Sequence, residues 1–140
     1  MCLYAKGKIK KAEEDIVCYK YLALSIGRDE YGNISSTWCS PYVNIGWEIG
    51  KAKENTNNKP YYDAHGDVSE GFFHTFKSLN DTKDAKNGYD FWNNGGRKQL
   101  GVFKCIIPKG TLYFEGIHGG FNQFQGYASK KLLIVERVEE

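Results

Sequence analysis

One segment of this 140-residue chain has the spacing of an amphipathic helix, whereas its other periodic segments have the pattern of β-strands. Ser78 is suited to cap a helix through its hydroxyl, and apolar or small residues recur at helical spacing from Leu79 to Trp92. Parallel strands need long crossovers, usually helical, so one helix is too few for a doubly wound fold. We therefore predict an α+β fold: a mostly antiparallel twisted sheet with one main helix at about residues 78–92.

The predicted strands lie on both sides of this helix in the sequence. Before it, runs rich in β-formers or with period-2 alternation predict strands at 16–24, 34–39, 43–49, 61–65 and 70–76, the second returning on the first as a hairpin. After it, strands are predicted at 100–107, 111–115 and 131–138, the first two paired as a hairpin through the turn Pro108–Gly110. Two segments are predicted to be loops: polar 51–59, and glycine-rich 116–126 over a groove.

Composition limits the classes of protein and partner. With 26% charged and 41% hydrophobic residues, we expect a single globular domain spanning 1–140. There is no long apolar run and no signal-peptide pattern, so we expect a soluble cytoplasmic protein without a membrane partner. Nineteen Lys and Arg against 17 Asp and Glu give a net charge of +2, and three of these cations are Arg, which does not favour a specific nucleic-acid partner.

The four cysteines have none of the spacings of a zinc site, since there is no C-x-x-C pair. Cys18 and Cys105 lie within apolar strand patterns and are predicted to be buried free thiols. Aromatic residues make up 15% of the chain and are predicted mainly to pack the core. No metal and no cofactor are predicted.

The three histidines lie in different segments, so the sequence cannot pair them. His74 is either a polar group at a cleft or a ring hydrogen-bonded within a strand. His118 either closes over a ligand or, as we expect, is a solvated loop residue. The chain has no H-E-x-x-H, G-x-S-x-G or phosphate-loop motif, and no catalytic residue is predicted.

Two family resemblances add to these expectations. The segments EEDIVCYKYL, SPYV, GFFHTF, IPKG and YAS resemble small uncharacterised proteins encoded by bacteriophages and prophages. The stretch 105–138, with CIIPKGTLYFEG and GYASKKLLIVERV, resembles the closing half of ADP-ribosyltransferase-like folds. That second resemblance sets Thr75 and Phe76 against the family's middle-strand segment, and Tyr19 with Lys20 against its first-strand cation.

The second resemblance fails at one position. Where the transferases place a catalytic Glu, this chain has Lys130 and Lys131. A cation there would oppose the positive charge of an oxocarbenium-like centre, because such a centre needs a nearby carboxylate. If the fold is shared, the departure therefore favours a binding protein over an enzyme.

We therefore predict a non-enzymatic binding protein of a phage or mobile element, a counter-defence inhibitor that sequesters a nucleotide signal or blocks a host defence protein. The predicted ligand-binding residues are Tyr19, Lys20, His74, Thr75, Tyr127 and Ser129. One alternative is an enzyme acting on NAD or a nucleotide, with His74 as base and Glu136 or Glu115 as the carboxylate. Another is a structural or interaction module, and a homo-oligomer stays open.

Overall fold

The computed structural model describes residues 3–40, 46–55, 72–92, 99–118 and 124–139, and the fold is given for these. One helix, α1 (Leu79–Trp92), lies in the chain between the seventh and eighth strands. The strands are β1 (Leu3–Ala5), β2 (Lys10–Lys11), β3 (Ile16–Arg28), β4 (Ile34–Cys39), β5 (Gly46–Trp47), β6 (Ala52–Glu54), β7 (Phe73–Phe76), β8 (Leu100–Ile107), β9 (Leu112–His118), β10 (Gln125–Ser129) and β11 (Lys131–Glu139).

The described strands form one sheet in which neighbours run antiparallel. Along its main path the strand order is β1, β9, β10, β7, β3, β8, β11, β6. Off this path, β2 pairs with β9, and β4 pairs with β3 and β5. The prediction of a mostly antiparallel sheet with one helix is confirmed for the described residues, and the sheet dominates.

The sheet must curl, because a single residue, Lys130, joins β10 to β11. Three strands separate these two in the sheet, which in a flat sheet corresponds to about 19 Å at about 4.8 Å per strand. The Cα atoms of Ser129 and Lys131 can be at most about 7.6 Å apart, since two peptide units join them. Lys130 also donates its N–H to Leu112 O at 3.0 Å and accepts from Asn55 N at 2.7 Å. The two ends of the strand path therefore meet at this residue.

The curled sheet encloses the main apolar core. Side chains from distant strands meet there, including Cys18 of β3, Phe73 of β7, Phe103 of β8 and Ile134 of β11. A second cluster contains Leu3 of β1, Phe114 of β9 and Ala128 of β10. The alternation of side chains along each strand thus sends one set into the enclosed core and the next set to the opposite face.

The opposite face of β3, β7 and β8 is covered by α1. Tyr21, Phe76 and Val102 pack there with Ala85 of the helix. The predicted cap is present, because Asp81 N donates to Ser78 Oγ at 3.2 Å. Helix α1 therefore agrees with its sequence prediction at its start.

Several predicted strands are confirmed, with changed bounds. The strand predicted at 16–24 is β3, which continues to Arg28, and β4 returns on it as the expected hairpin. The predictions for 100–107, 70–76 and 131–138 correspond to β8, β7 and β11. Of the strand predicted at 43–49, the described part contains Gly46–Trp47. The strand predicted at 61–65 lies outside the described residues.

The predicted hairpin of 100–107 with 111–115 is wrong, although its turn exists. Gly110 has φ 87°, and Thr111 N donates to Pro108 O at 3.1 Å. Strand β8 nevertheless pairs with β3 and β11, and β9 pairs with β10, β1 and β2. Both edges of β8 are occupied, so the turn passes the chain from one half of the curled sheet to the other.

The prediction of a loop at 51–59 is wrong for its first half. Ala52–Glu54 forms β6, which pairs with β11 from Lys131 to Leu133. A strand at the end of the sheet path satisfies its backbone on one neighbour and leaves polar side chains in water, so its composition resembles a loop. The later residues of this segment lie outside the described part.

In the described part of the chain, no helix combines the length and apolar character that crossing a membrane requires.

We expect replacement of Ser78 by alanine to lower the free energy of unfolding by about 1 kcal/mol, because the Asp81 amide loses its cap. Ser78→Asp keeps an acceptor at that position and should retain most of the stability. Urea denaturation of both variants and of the parent protein measures this difference. Equal midpoints for Ser78→Ala and the parent would show that the cap contributes nothing.

Candidate functional site

The register of β7 and β10 divides the predicted ligand residues between the two faces of the sheet. Tyr127 lies opposite Thr75, and Ser129 lies opposite Phe73, so these side chains share the face of the enclosed core. His74 lies between Phe73 and Thr75 in the strand, and its side chain therefore points to the other face. Three of the six predicted residues thus come together, and His74 is separated from them.

Tyr19 and Lys20 are adjacent on β3 and divide in the same way. Tyr19 lies opposite Phe76, whose ring packs on the helix side. Lys20 is on the alternate face, where its partner across β8 is the core residue Phe103. The structure therefore groups Lys20 with Thr75, Tyr127 and Ser129, and Tyr19 with His74.

Lys20 connects β3 and β7 beside the short stretch over which these two strands pair, a boundary that we call the seam. These strands share one register pair, Tyr19 with Phe76, in the described part of the chain. Beyond it, Lys20 Nζ donates to the main-chain oxygen of His74 at 2.8 Å. Burial lowers the pKa of Lys20 to about 8, and the nearby sulfurs of Cys105 and Cys18 partly oppose that shift. The ammonium group therefore connects the two strands where their ladder ends.

The other members of this set are buried. Thr75 and Ser129 are fully buried, and Tyr127 is nearly so. Ser129 Oγ has no hydrogen-bond partner among the described residues. Burial, followed by the charge of Glu115, raises the pKa of Tyr127. These residues line the enclosed core. Their contact with a ligand stays a prediction.

Two cysteines lie in the same region. Cys18 and Cys105 are both buried and free, as predicted, and they face each other across β3 and β8. Cys39 of β4 is also free and is half-buried. The pair shares the face of the enclosed core with Lys20, which is two residues from Cys18 on β3, and with the buried Thr75 of β7.

The prediction that His118 is a solvated loop residue is wrong. It is the last residue of β9 and is 1% exposed. Its Nε2 lies 2.7 Å from Thr75 O, so in the neutral ring this nitrogen carries the proton and donates it. The predicted loop at 116–126 is also wrong at both ends, where β9 and β10 extend into it, and residues 119–123 lie outside the described part.

A glycine makes room for the His118 ring. A Cβ atom on Gly126 would overlap both the ring and the carbonyl oxygen that the ring contacts. The ring also packs on Phe76, with centroids 4.5 Å apart, and on His74, with centroids 6.1 Å apart. His118 is thus a packed structural group, which its position among glycines did not reveal.

Both described histidines stay neutral at physiological pH. Burial, together with the charge of Lys20, lowers the pKa of His74 to about 3. Burial lowers the pKa of His118 to about 4, although its bond to Thr75 opposes the shift. His74 Nδ1 and His118 Nδ1 have no hydrogen-bond partner among the described residues.

The carboxylates of the enzyme alternative do not approach His74 in this fold. Glu115 lies opposite Tyr127 and therefore on the other face of the sheet from His74. It is within 3.4 Å of Lys10 and 3.8 Å of Lys77. Glu136 is exposed on β11, with β3 and β8 between it and β7. Within the described ranges no group of His, Cys, Asp or Glu could hold a metal ion.

The sequence analysis missed an open groove of about 680 Å³ beside β4, β5 and β6, which we call the tryptophan groove. Trp38 and Trp47 face each other across β4 and β5, and both line it. The remaining lining residues are Ser36, Thr37, Gly46, Glu48, Ile49, Lys51, Ala52 and Lys53. The predicted hairpin and the alternation around Trp47 were the available signals, but the pairing of β5 with β4 was not predictable from either.

The walls of the tryptophan groove are held by specific contacts. Trp47 is 4% exposed, packs edge-on against Phe73 and donates its indole N–H to Ser40 Oγ at 2.9 Å. Lys53 Nζ donates to Gly46 O at 2.5 Å and lies 5.5 Å from the centre of the Trp47 ring. Trp38 is half-buried and packs edge-on against Phe103. The groove therefore combines a fixed cation with a partly accessible indole ring.

Comparisons with protein-family models, with curated proteins and with solved structures gave no match to this chain. The two resemblances given above therefore stay predictions.

We expect the free energy of unfolding to fall as the pH drops from about 6.5 towards 4. The folded histidines hold pKa values of about 3 and about 4, whereas unfolded histidine titrates near 6.5. Between these pKa values the histidines of the unfolded chain bind protons, whereas those of the folded chain stay neutral. Acid therefore favours unfolding. Urea denaturation at pH 7.5, 6, 5 and 4 measures the effect.

The double variant His74→Gln, His118→Gln distinguishes the effect of these two rings from that of the carboxylates, which titrate in the same pH range. It should lose less stability between pH 6.5 and 4 than the parent protein, whatever its stability at pH 7.5. The same loss in both proteins would contradict the assignment to these two rings.

Proposed function

We propose that this protein is a non-enzymatic binding protein that holds a small anionic molecule with a planar ring, of the nucleotide type, in the tryptophan groove. The observation that carries the proposal is the presence of Lys53 and the half-buried Trp38 in one open groove. We further propose that the chain acts in the cytoplasm of a host cell as a counter-defence inhibitor of a phage or mobile element. The sequence resemblance supports this setting.

The size of the groove suits such a ligand. Sites for small molecules commonly have volumes of about 300–1,000 Å³ and are lined by aromatic groups with a few placed polar ones. The tryptophan groove has about 680 Å³ and two indole rings. Phe103 packs edge-on against the Trp38 ring, and the Arg137 guanidinium lies 5.2 Å from the ring centre. A base would stack on the part of the half-buried ring that these groups leave accessible, while the buried Trp47 supports the wall behind it. Stacking of this kind tolerates any base, because every base has a π face.

The charged residues that line the groove indicate the charge of the ligand. Lys53 and Lys51 both line the groove, whereas Glu48 is the one acid among its described lining residues. Glu48 is 3.7 Å from Lys51 at an exposed position, which leaves Lys53 as the cation that the fold holds in place. An ammonium group fixed beside an indole favours an anionic group attached to a planar ring. A phosphate on a nucleoside has this chemistry.

The arrangement of the predicted site also supports binding over catalysis. His74 is neutral and faces away from the Glu115 side chain. An acid and a base that cooperate on one substrate must reach it together, within hydrogen-bond distance. Residues on opposite faces of a sheet do not meet this requirement.

We expect purified protein to bind ADP-ribose or 3′,5′-cyclic AMP, measured by calorimetry and by quenching of tryptophan fluorescence. Lys53→Met should weaken binding about tenfold, because a charge-assisted hydrogen bond is lost. Trp38→Leu should weaken it about tenfold through lost stacking. Lys109→Met, in the exposed turn after β8, is the matched control and should bind as the parent does.

Inorganic phosphate alone should bind far more weakly than either nucleotide, because it cannot stack. If no nucleotide stabilises the protein and no host protein is captured from lysate, the binding proposal is wrong. Conversion of NAD to products by the purified protein, followed by mass spectrometry, would support the enzyme alternative instead.

One further observation favours an interaction module as a second candidate. The end of the β3–β4 hairpin extends beyond β8, whose pairing with β3 stops at Ala23. Three large apolar side chains there are exposed: Ile26 (70%), Tyr31 (81%) and Ile34 (65%). In the described part of the chain, residues 25–28 of β3 have β4 as their sheet partner. A two-stranded ribbon is marginally stable alone, so pairing with a second copy of this chain would stabilise it.

Light scattering across a range of concentrations tests this second candidate. Self-association should appear in the parent protein and weaken when Ile26→Lys and Ile34→Lys place charges on the ribbon. A monomer at all concentrations would contradict it. The tryptophan-groove proposal does not depend on the result, because nucleotide binding is measured separately.

A further inference from the structure

Cys18 and Cys105 occupy directly opposed positions on two neighbouring antiparallel strands. Opposed residues in such a pair have Cα atoms about 4.5 or 5.5 Å apart, depending on the hydrogen-bonding position. Disulfides usually join Cα atoms about 4.4–6.8 Å apart, so the Cα spacing of this register lies within the range that a disulfide spans. Both thiols are free and fully buried in the main core.

The two thiols have different surroundings. Burial raises the pKa of the Cys18 thiol, but its polar neighbours Cys105, Thr75 and Lys20 outweigh burial, so the net shift is downward. Burial raises the pKa of Cys105, and the neighbouring Cys18 sulfur raises it further. The Cys105 thiol donates to Phe103 O at 3.7 Å. The pair therefore combines a Cys18 thiol whose pKa is lowered with a Cys105 thiol whose pKa is raised, which are the roles of a nucleophile and its partner.

We propose that Cys18 and Cys105 form a redox-active pair in which Cys18 attacks a small hydroperoxide and Cys105 then closes a disulfide. The geometric basis is their cross-strand register together with the Lys20 ammonium held beside them. This site is separate from the tryptophan groove.

The chemistry balances with hydrogen peroxide as the oxidant. The Cys18 thiolate attacks one peroxide oxygen, an S–O bond forms, and the O–O bond breaks to release hydroxide, which leaves as water after taking a proton. Cys105 sulfur then attacks the Cys18 sulfur, the S–S bond forms, and the S–O bond breaks with loss of a second water. The two thiols lose two electrons, and the peroxide is reduced to two waters.

The seam between β3 and β7 provides an approach for such a small molecule. The ladder there has one register pair in the described residues, and half-buried Lys20 crosses the seam with its ammonium group. Opening it breaks few main-chain hydrogen bonds, so local opening costs less than opening the long β3–β8 ladder. The sulfur that this opening exposes is stabilised as an anion by the same lysine.

The test is treatment of the purified full chain with hydrogen peroxide, followed by intact mass measurement and peptide mapping. We expect a loss of two hydrogens per chain and a cross-linked pair of peptides that contain Cys18 and Cys105. The parent protein alone gives this result, so the test does not depend on a variant that folds. Cys39→Ser should react in the same way, because Cys39 lies on β4 outside the pair.

Three variants assign the roles, each checked for folding by circular dichroism. Cys105→Ser should stop at a sulfenic acid on Cys18, trapped by a dimedone-type reagent, while Cys18→Ser should leave Cys105 untrapped. Lys20→Met should slow oxidation several-fold, because the ammonium charge beside the Cys18 sulfur is lost. Lys104→Met, whose side chain lies opposite Tyr19 on the other face of the sheet, should leave the rate unchanged.

Oxidation of Cys39 while Cys18 and Cys105 remain free thiols would overturn the proposal. So would a sulfenic acid on Cys105 in the Cys18→Ser variant, because the roles would then not belong to these sulfurs.

Discussion

The one-residue connection at Lys130 is the constraint on which the rest of the architecture depends. It joins strands that are four positions apart, so the sheet has to curl until its ends meet. The curl converts one face of the sheet into an enclosed core and leaves the other face for α1 and for the cluster that contains Leu3 and Phe114. The division of the predicted ligand residues follows directly, since neighbours along a strand are sent to different environments.

The charged form of Lys20, at the boundary between β3 and β7, destabilises the folded protein. Below a pH of about 8 the folded protein holds an ammonium group among buried side chains, and burial disfavours that charged form. Stability rises as the pH increases from about 8 towards 10.5, because the folded state releases this proton first. The two sulfurs of the proposed redox pair lie on the same face of the sheet as this lysine, and its charge acts on both.

The local sequence pattern was sufficient to predict most strands and the helix, but it was not sufficient to predict which strands pair. The period of the side chains identified β3, β8 and α1, and the apolar setting of Cys18 and Cys105 indicated buried thiols. The pairing of β8 with β3 and β11, rather than with β9, depends on contacts between residues far apart in the sequence. The burial of His118 and the assembly of the tryptophan groove depend on the same long-range pairing. Polar composition also concealed β6, because an end strand needs its backbone and not an apolar face.

The position of β3 in the sheet affects the order in which the chain can fold. Its main neighbours are β4, which follows at once, and β8, which begins at Leu100. A growing chain on the ribosome therefore holds β3 as half of a hairpin, with its other edge open, until more than two-thirds of the protein has been made. Such distant pairing is slow to form, and the waiting strand exposes apolar side chains to other chains. Chaperone binding to this nascent strand would shorten that exposure.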